Sequence, residues 1–278
     1  MGLRFTKMHG AGNDFVVIDL RGGRQAPSAD LARAIGDRHT GVGFDQLLSI
    51  EDSDRADRLA RYRIWNSDGS LAQQCGNGAR CVAAWLARDN PSLPARFVLD
   101  SPAGPIEAER LPDGRYSLQM GVPEFAPAKI PLVGANEQPN REYVAMLGGT
   151  PLHFGAASMG NPHALLLTDD IANAPVGRLG PMLQASALFP ESVNVGFAQV
   201  ESPAHIRLRV YERGAGETLA CGSGACAAVA ILIRQGRVAR KVDVDLPGGM
   251  LQIDWPDDAA QIRMAGPVAF VFEGEWNA

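Results

Sequence analysis

A chain of 278 residues with 46% hydrophobic content has room for one large domain or two of ordinary size, each with a real core. A formal net charge of −5 with no cluster of Lys and Arg argues against a nucleic-acid surface. No run is long and apolar enough for a membrane span, and residues 1–5 lack a secretory apolar region, so a cytoplasmic protein with no membrane partner is expected.

Apolar patterning predicts strands at 3–6 and 15–18, around a loop at 9–14. Ser28 is placed to cap a short helix with Leu31, Ala34 and Ile35 on one face. The loop 40–43 leads through Phe44, Asp45 and Gln46 to Leu47 and Leu48, which begin another strand; 63–66 reads as one more. A helical, alanine-rich pattern follows Cys75. Strands are then expected at 97–99, 106–111 and 116–120, with Pro112-Asp113-Gly114 as a hairpin turn between the last two. Residues 121–134, holding Pro123, Pro127 and Pro131, form the best crossing between domains. Beyond it, strands are expected at 142–146, 153–157, 164–167 and 206–211, with a helix around 182–188. A second apolar helix follows Cys221, and the chain closes on strands at 242–246, 251–255, 261–264 and 268–272.

The second half echoes the first. Cys75-Gly76-Asn77-Gly78-Ala79 returns as Cys221-Gly222-Ser223-Gly224-Ala225, each opening an apolar helix. Arg63-Ile64-Trp65-Asn66 and Arg209-Val210-Tyr211-Glu212 each begin twelve residues before the cysteine. Gly12-Asn13 pairs with Gly160-Asn161, and Val42-Gly43-Phe44 with Val195-Gly196-Phe197, Gln46 and Gln199 following at the same offset. Landmarks recurring in order about 150 residues apart indicate a duplicated domain. Many strands with two markedly apolar helices imply an α+β fold of two pseudo-symmetric domains. Each would be a mixed sheet or barrel wrapped round its helix. The domains are placed at 1–121 and 122–266, with the strand in 267–278 joining the first.

A cysteine at a helix N-terminus feels the positive end of the macrodipole, which favours thiolate. The glycines let a ligand approach backbone N–H groups that can hold a carboxylate. Two such units suggest two thiols facing one small anionic substrate in a cleft between the domains. Inverting a carbon that bears H, NH₃⁺ and COO⁻ requires a base on one face and an acid on the other, roles that suit a thiolate and a thiol. No pyridoxal lysine, Rossmann fingerprint or P-loop is apparent, so no cofactor is expected. The cysteine spacings, with five and four residues intervening, do not match common zinc motifs, and no metal is expected. Cys81 and Cys226 fall inside the helices and read as buried small hydrophobes.

Five motifs in order carry a resemblance. They are Lys7-Met8-His9-Gly10-Ala11-Gly12-Asn13-Asp14-Phe15, Gly41-Val42-Gly43-Phe44-Asp45-Gln46, the segment Cys75 to Cys81, Ser158-Met159-Gly160-Asn161-Pro162-His163, and Tyr211-Glu212-Arg213-Gly214-Ala215-Gly216-Glu217-Thr218 leading into Cys221. Nearly end to end, the chain resembles the diaminopimelate epimerases, cofactor-independent two-cysteine enzymes that interconvert LL- and meso-diaminopimelate. The resemblance implies that Cys75 and Cys221 are catalytic, with Cys221 accepting and Cys75 donating a proton in the LL-to-meso direction. It implies that Gly76, Asn77, Gly222 and Ser223 hold the α-carboxylate through backbone amides. Asn13, Gln46, Asn66, Asn161, Asn194, Glu212 and Arg213 would bind the rest of the substrate, while His163 and Glu212 tune the thiols. It further implies a homodimer; Phe272 stands where relatives often carry tyrosine at the expected contact.

Blander readings accompany these. Asn66 and Asn194 are each a usual turn residue, and a lone histidine such as His163 at a strand start is commonly structural. Arg213 in a glycine-rich loop suits a bidentate grip on a carboxylate. Two rival functions share parts of the pattern: a proline-racemase-like enzyme with the same thiol chemistry, and a thiol redox or anion-binding protein without turnover.

Overall fold

In the computed structural model, residues 2–139 and 141–277 are described. The chain divides into two compact units, 1–119 with 265–278, and 120–264.

The first unit opens with β1 (Leu3–Gly10) and β2 (Asn13–Asp19), followed by α1 (Ala29–Gly36), β3 (Gln46–Glu51), β4 (Ala60–Asn66) and β5 (Leu71–Ala72). Then come α2 (Gly76–Asp89), β6 (Arg96–Ser101), β7 (Gly104–Arg110) and β8 (Tyr116–Gln119). The expected loop at 9–14 is shorter than read. Strands β1 and β2 pair up to Gly10 and Asn13, leaving Ala11 and Gly12 as a two-residue turn with φ of 52° and 82°. Sheet order then follows from β2 parallel to β3, β3 antiparallel to β4, and β4 parallel to β6 across α2.

The second unit begins at Met120 and passes through a short 3₁₀ turn at Pro127–Lys129. It contains β9 (Asn136–Glu137), β10 (Tyr143–Leu147), β11 (Thr150–Ser158), β12 (Pro162–Leu167), α3 (Val176–Gln184), β13 (Asn194–Ser202), β14 (His205–Glu212) and β15 (Gly216–Thr218). After α4 (Gly222–Arg234) come β16 (Lys241–Leu246), β17 (Gly249–Asp254) and β18 (Arg263–Gly266). Strand β19 (Ala269–Trp276) pairs antiparallel with β1, within the first unit. The topology repeats strand for strand: β11 antiparallel to β12, β12 parallel to β13, β13 antiparallel to β14, and β14 parallel to β16 across α4.

The fold is therefore α+β, mostly sheet, with each cysteine-bearing helix enclosed by strands of its own unit. Helix α2 packs on β1, β2, β3, β7 and β8, and α4 on β11, β12, β13 and β17. Their Ala, Val, Ile and Cys side chains are buried nearly all round, the pattern of a core helix with no solvent face. Outer helices complete each core. Helix α1 sets Ala32 and Ile35 against Val16, Leu47 and Trp65, and α3 sets Val176 and Leu183 against Phe189, Val195 and Phe197.

Three local expectations are corrected. The buried face of α1 is Ala32, Ile35 and Gly36, with Ala34 exposed. Helix α3 spans Val176–Gln184, earlier than the expected 182–188, and it carries Pro181 inside it. Its missing N–H would have faced Gly177, which has no side chain to add to the ring's crowding. The third concerns the echo of Val42-Gly43-Phe44. Those residues lie in the turn before β3, whereas Val195-Gly196-Phe197 lie within β13, a nine-residue strand that the pattern reading did not list. Pairing sets the true equivalence: Gln46 opposite Phe15 corresponds to Asn194 opposite His163.

Candidate active site

Each unit builds its site from the same four places: the turn before the second strand, the start of the third strand, the end of the fourth, and the helix N-cap. In the first unit these carry Asn13, Gln46, Asn66 and Cys75; in the second, Asn161, Asn194, Glu212 and Cys221.

Cys75 is the extended N-cap of α2, and its Sγ accepts the Gly78 N–H at 3.4 Å. The Cys75 thiol donates to Asn13 Oδ1 at 3.6 Å, and Asn13 Nδ2 donates to Asp45 Oδ2 at 2.7 Å. Gln46 Nε2 reaches Asn66 Oδ1 at 3.1 Å, and Asn66 Nδ2 reaches Ser70 Oγ at 3.0 Å. Asn77 is buried, its Oδ1 taken by Arg80 Nη2 at 2.8 Å, so what it can offer a ligand is backbone. An α-helix has no internal acceptor for its first N–H groups, and here those belong to Gly76 and Asn77.

Cys221 caps α4 in the same extended conformation, 4% exposed, with Ser223 Oγ 3.7 Å from its sulfur. Asn161 Nδ2 donates to Ser223 Oγ at 3.5 Å, and Asn161 Oδ1 lies 3.0 Å from His163 Nε2. Asn194 is buried and spans two backbones, giving Nδ2 to Pro162 O at 3.1 Å and taking the Arg213 N–H on Oδ1 at 2.9 Å. Arg213 Nη1 rests on Glu191 O at 2.9 Å, and Thr218 Oγ1 donates to Glu212 Oε1.

The expected thiolate bias is reversed at Cys221. Burial pushes this thiol well above its ordinary value, and the neighbouring Glu212 adds to the rise by charge and hydrogen bonding. The Gly224 N–H and Ser223 pull the other way without prevailing. A half-charge at a helix end is outweighed by full desolvation beside a carboxylate. Cys81, wholly buried, is pushed up to about 12 by burial and is inert, as its place among alanines implied.

His163 is 3% exposed, and burial, then the Arg213 charge, lower its pKa to about 3. The ring is neutral at physiological pH. Unfolding exposes it to its ordinary 6.5, so the unfolded chain takes up a proton between pH 6.5 and 3 that the folded chain refuses. Stability from this group is complete above pH 6.5 and is lost as pH falls towards 3, at up to ~1.4 kcal/mol per pH unit. Urea titrations at stepped pH should show that slope in the wild type and a shallower one in His163→Gln; equal slopes would remove the assignment.

Two features of the site went unassigned in the sequence. Gly78 and Gly224 hold the same place beside the sulfur: an added Cβ would lie 3.5 Å from Cys75 Sγ and 3.1 Å from Cys221 Sγ, and as close to neighbouring core atoms. Beneath Asn13, Asp14 binds Lys7 and Arg38, and Arg38 also holds Asp45 at 2.8 Å. Burial raises the Asp14 pKa, but the bonds and charges of Arg38 and Lys7 outweigh it and bring it to about 2. Lys7, Asp14 and Asp45 all stand inside the recognised motifs, which was the available signal. Among the described residues, no cluster of three His, Cys, Asp or Glu could hold a metal, and no helix is long and apolar enough to cross a membrane.

Paired α+β units with a cysteine at each core-helix N-cap place the chain among racemase- and epimerase-like folds. A hydroxyproline epimerase from Agrobacterium vitis, with trans-4-OH-L-proline bound, matches 99% of this chain and 92% of its own at a TM-score of 0.67 and 17% identity. At that identity the likeness concerns the fold. The chain belongs to the diaminopimelate epimerase family, whose model matches residues 5–126 and 155–271. A diaminopimelate epimerase from Xanthomonas campestris is 59% identical over 275 residues, 99% of this chain and 96% of that protein. An O-ureido-serine racemase from Streptomyces lavendulae is 57% identical over 273 residues, 98% and 94%.

Proposed function

We propose that the protein is an isomerase that interconverts LL- and meso-2,6-diaminopimelate by two-base proton transfer, in lysine and peptidoglycan-precursor biosynthesis. The observation that carries this reading is the pair of helix-capping thiols on duplicated scaffolds, in a chain of this family throughout. In the LL-to-meso direction Cys221 takes the α-proton and Cys75 delivers its own to the opposite face. The backbone N–H groups of Gly76, Asn77, Gly222 and Ser223 receive the α-carboxylate and stabilise charge as it builds on the carbon. A substrate ammonium set against Glu212 cancels the charge that helps keep Cys221 protonated, and the thiol then loses its proton to solvent. Asn13, Gln46, Asn66 and Asn161 bind the remaining polar groups. Asn194 holds the Arg213 backbone in place for a distal carboxylate, and His163 fixes Asn161. The enzyme needs no cofactor in this scheme, works in the cytoplasm and forms a homodimer. Exposed Phe270, Val271 and Phe272 on β19 support the dimer.

A second reading rests on the similarity to the O-ureido-serine racemase, 57% identical against 59% for the Xanthomonas epimerase. Diaminopimelate carries a second amino-acid head, whereas O-ureido-serine ends in a neutral ureido group. The guanidinium of Arg213 favours the charged end. Incubation in D₂O with each amino acid, followed by separation of stereoisomers, decides between them. LL-diaminopimelate should give meso product with deuterium at the inverted carbon from the first turnovers. Preferred turnover of O-ureido-L-serine would replace the substrate assignment, and product that retains its original hydrogen would end the two-thiol scheme.

A further inference from the structure

Asn13 and Asn161 occupy the same place in the duplicated units, yet their neighbours hold the two amides in opposite senses. Beside Asn13 stands Asp45, which takes Asn13 Nδ2 at 2.7 Å and the Asp14 N–H at 3.1 Å on one oxygen, and Arg38 at 2.8 Å on the other. A carboxylate paired with arginine accepts hydrogen bonds and has none to give. The nitrogen of Asn13 must therefore face Asp45, and its oxygen must face Cys75 Sγ, 3.6 Å away. Beside Asn161 stands His163, whose Nε2 meets the amide oxygen at 3.0 Å. That sends Asn161 Nδ2 to Ser223 Oγ, which lies 3.7 Å from Cys221 Sγ. Cys75 Sγ thus meets the oxygen of its asparagine, beside the Gly78 N–H that it accepts at 3.4 Å, whereas Asn161 turns its nitrogen to Ser223.

We propose that Asp45 is a positioning residue: it locks the Asn13 amide so that its oxygen, not its nitrogen, faces Cys75, and so favours the protonated form of that thiol. This rests on the reading of Cys75 as a proton donor. An amide oxygen accepts from S–H and repels S⁻, whereas an amide nitrogen would donate to S⁻ and stabilise it. Without Asp45 the Asn13 side chain is free to turn about its last torsion and offer Nδ2 to the sulfur. Tyr62 and Cys81 also sense Cys75 in its unit, and burial raises both well above neutrality. They remain uncharged and do not compete with the Asn13 contact. Arg38, Asp14 and Lys7 join the thiol through Asp45 and Asn13 in the hydrogen-bond chain.

The test needs no substrate, so it stands apart from the identity of the amino acid turned over. The rate of Cys75 alkylation by iodoacetamide is followed against pH in the folded protein, with the modified peptide identified by mass. Four proteins are compared: wild type, Asp45→Ala, Asn13→Ala, and the double variant. Asp45→Ala should lower the Cys75 pKa by about one unit where Asn13 is present, and by less than about 0.3 unit where it is absent. Asp45→Asn, which keeps an oxygen for Asn13 Nδ2, should stay near wild type. If Asp45→Ala does not fold, Asp45→Ser replaces it, since its hydroxyl is one bond too short to hold the Asn13 amide. An equal shift in both Asn13 backgrounds would mean that Asp45 acts by charge alone, and no shift would mean that it does not set the amide; either result overturns the proposal. Diaminopimelate turnover in wild type alongside a failed cycle would leave the function standing without this device.

Discussion

Replacing either capping cysteine should all but silence epimerisation. Cys75→Ser and Cys221→Ser are each expected to lower kcat/KM on diaminopimelate by ~10³-fold or more, because a hydroxyl in the same place ionises far less readily than a thiol. A positioned acid or base contributes ~10²–10⁴-fold, and two-base inversion uses both in one turnover. Cys81 and Cys226 are fully buried in the same helices and serve as the internal comparison. Cys81→Ala and Cys226→Ala should retain most activity and lose ~1–2 kcal/mol of stability through the small cavities left behind. Steady-state kinetics with urea unfolding on all four variants checks this. A folded Cys81→Ala protein without activity would mean that the wrong thiols have been assigned.

Removing the guanidinium of Arg213 should cost nearly as much. Arg213→Met keeps the backbone N–H that Asn194 Oδ1 accepts at 2.9 Å, so the loop retains its anchor. It deletes a charged, forked donor suited to a distal carboxylate. Loss of a charge-assisted pair of this kind, at ~3–4 kcal/mol, lowers kcat/KM by ~10²–10³-fold. Remote binding energy orients the reacting carbon, so kcat should fall as well as KM rise. An amino acid without a distal carboxylate should be affected far less, and equal losses on both substrates would assign Arg213 a structural role. The same variant carries a second readout. The Arg213 charge is one of the causes that depress His163, so its removal should raise the His163 pKa from about 3, measurable by NMR titration of the ring. An unchanged histidine would show that burial alone holds it down.

Much of the scaffold was legible because duplication repeats a message. The cysteine loops and the Asn13 and Asn161 turns recur in the same order at nearly the same separation, and glycines there leave little freedom for other structure. The echo of Val42-Gly43-Phe44 misled because three small or apolar residues recur easily by composition. True equivalence is set by strand pairing, and it links Gln46 to Asn194, two residues with no sequence likeness beyond an amide. Helix α3 lies earlier in the chain than the apolar pattern suggests, because tertiary packing carries the helix through Pro181.

By itself the sequence determined the α+β class, the two core helices, and the thiols at their N-caps. Those follow from local periodicity, glycine spacing and the order of motifs, which need no knowledge of distant neighbours. Only the tertiary structure decided the state of Cys221 and the partners of each amide. Cys221 shares its helix-cap position with Cys75, and the macrodipole argument treats them alike. Burial and the carboxylate of Glu212, nine residues earlier in the chain, hold it protonated. Asp45 meets the nitrogen of Asn13 whereas His163 meets the oxygen of Asn161, so two equivalent asparagines have different partners. Desolvation and hydrogen-bond direction depend on what surrounds a group in space, and neither is written in the spacing of residues along a chain.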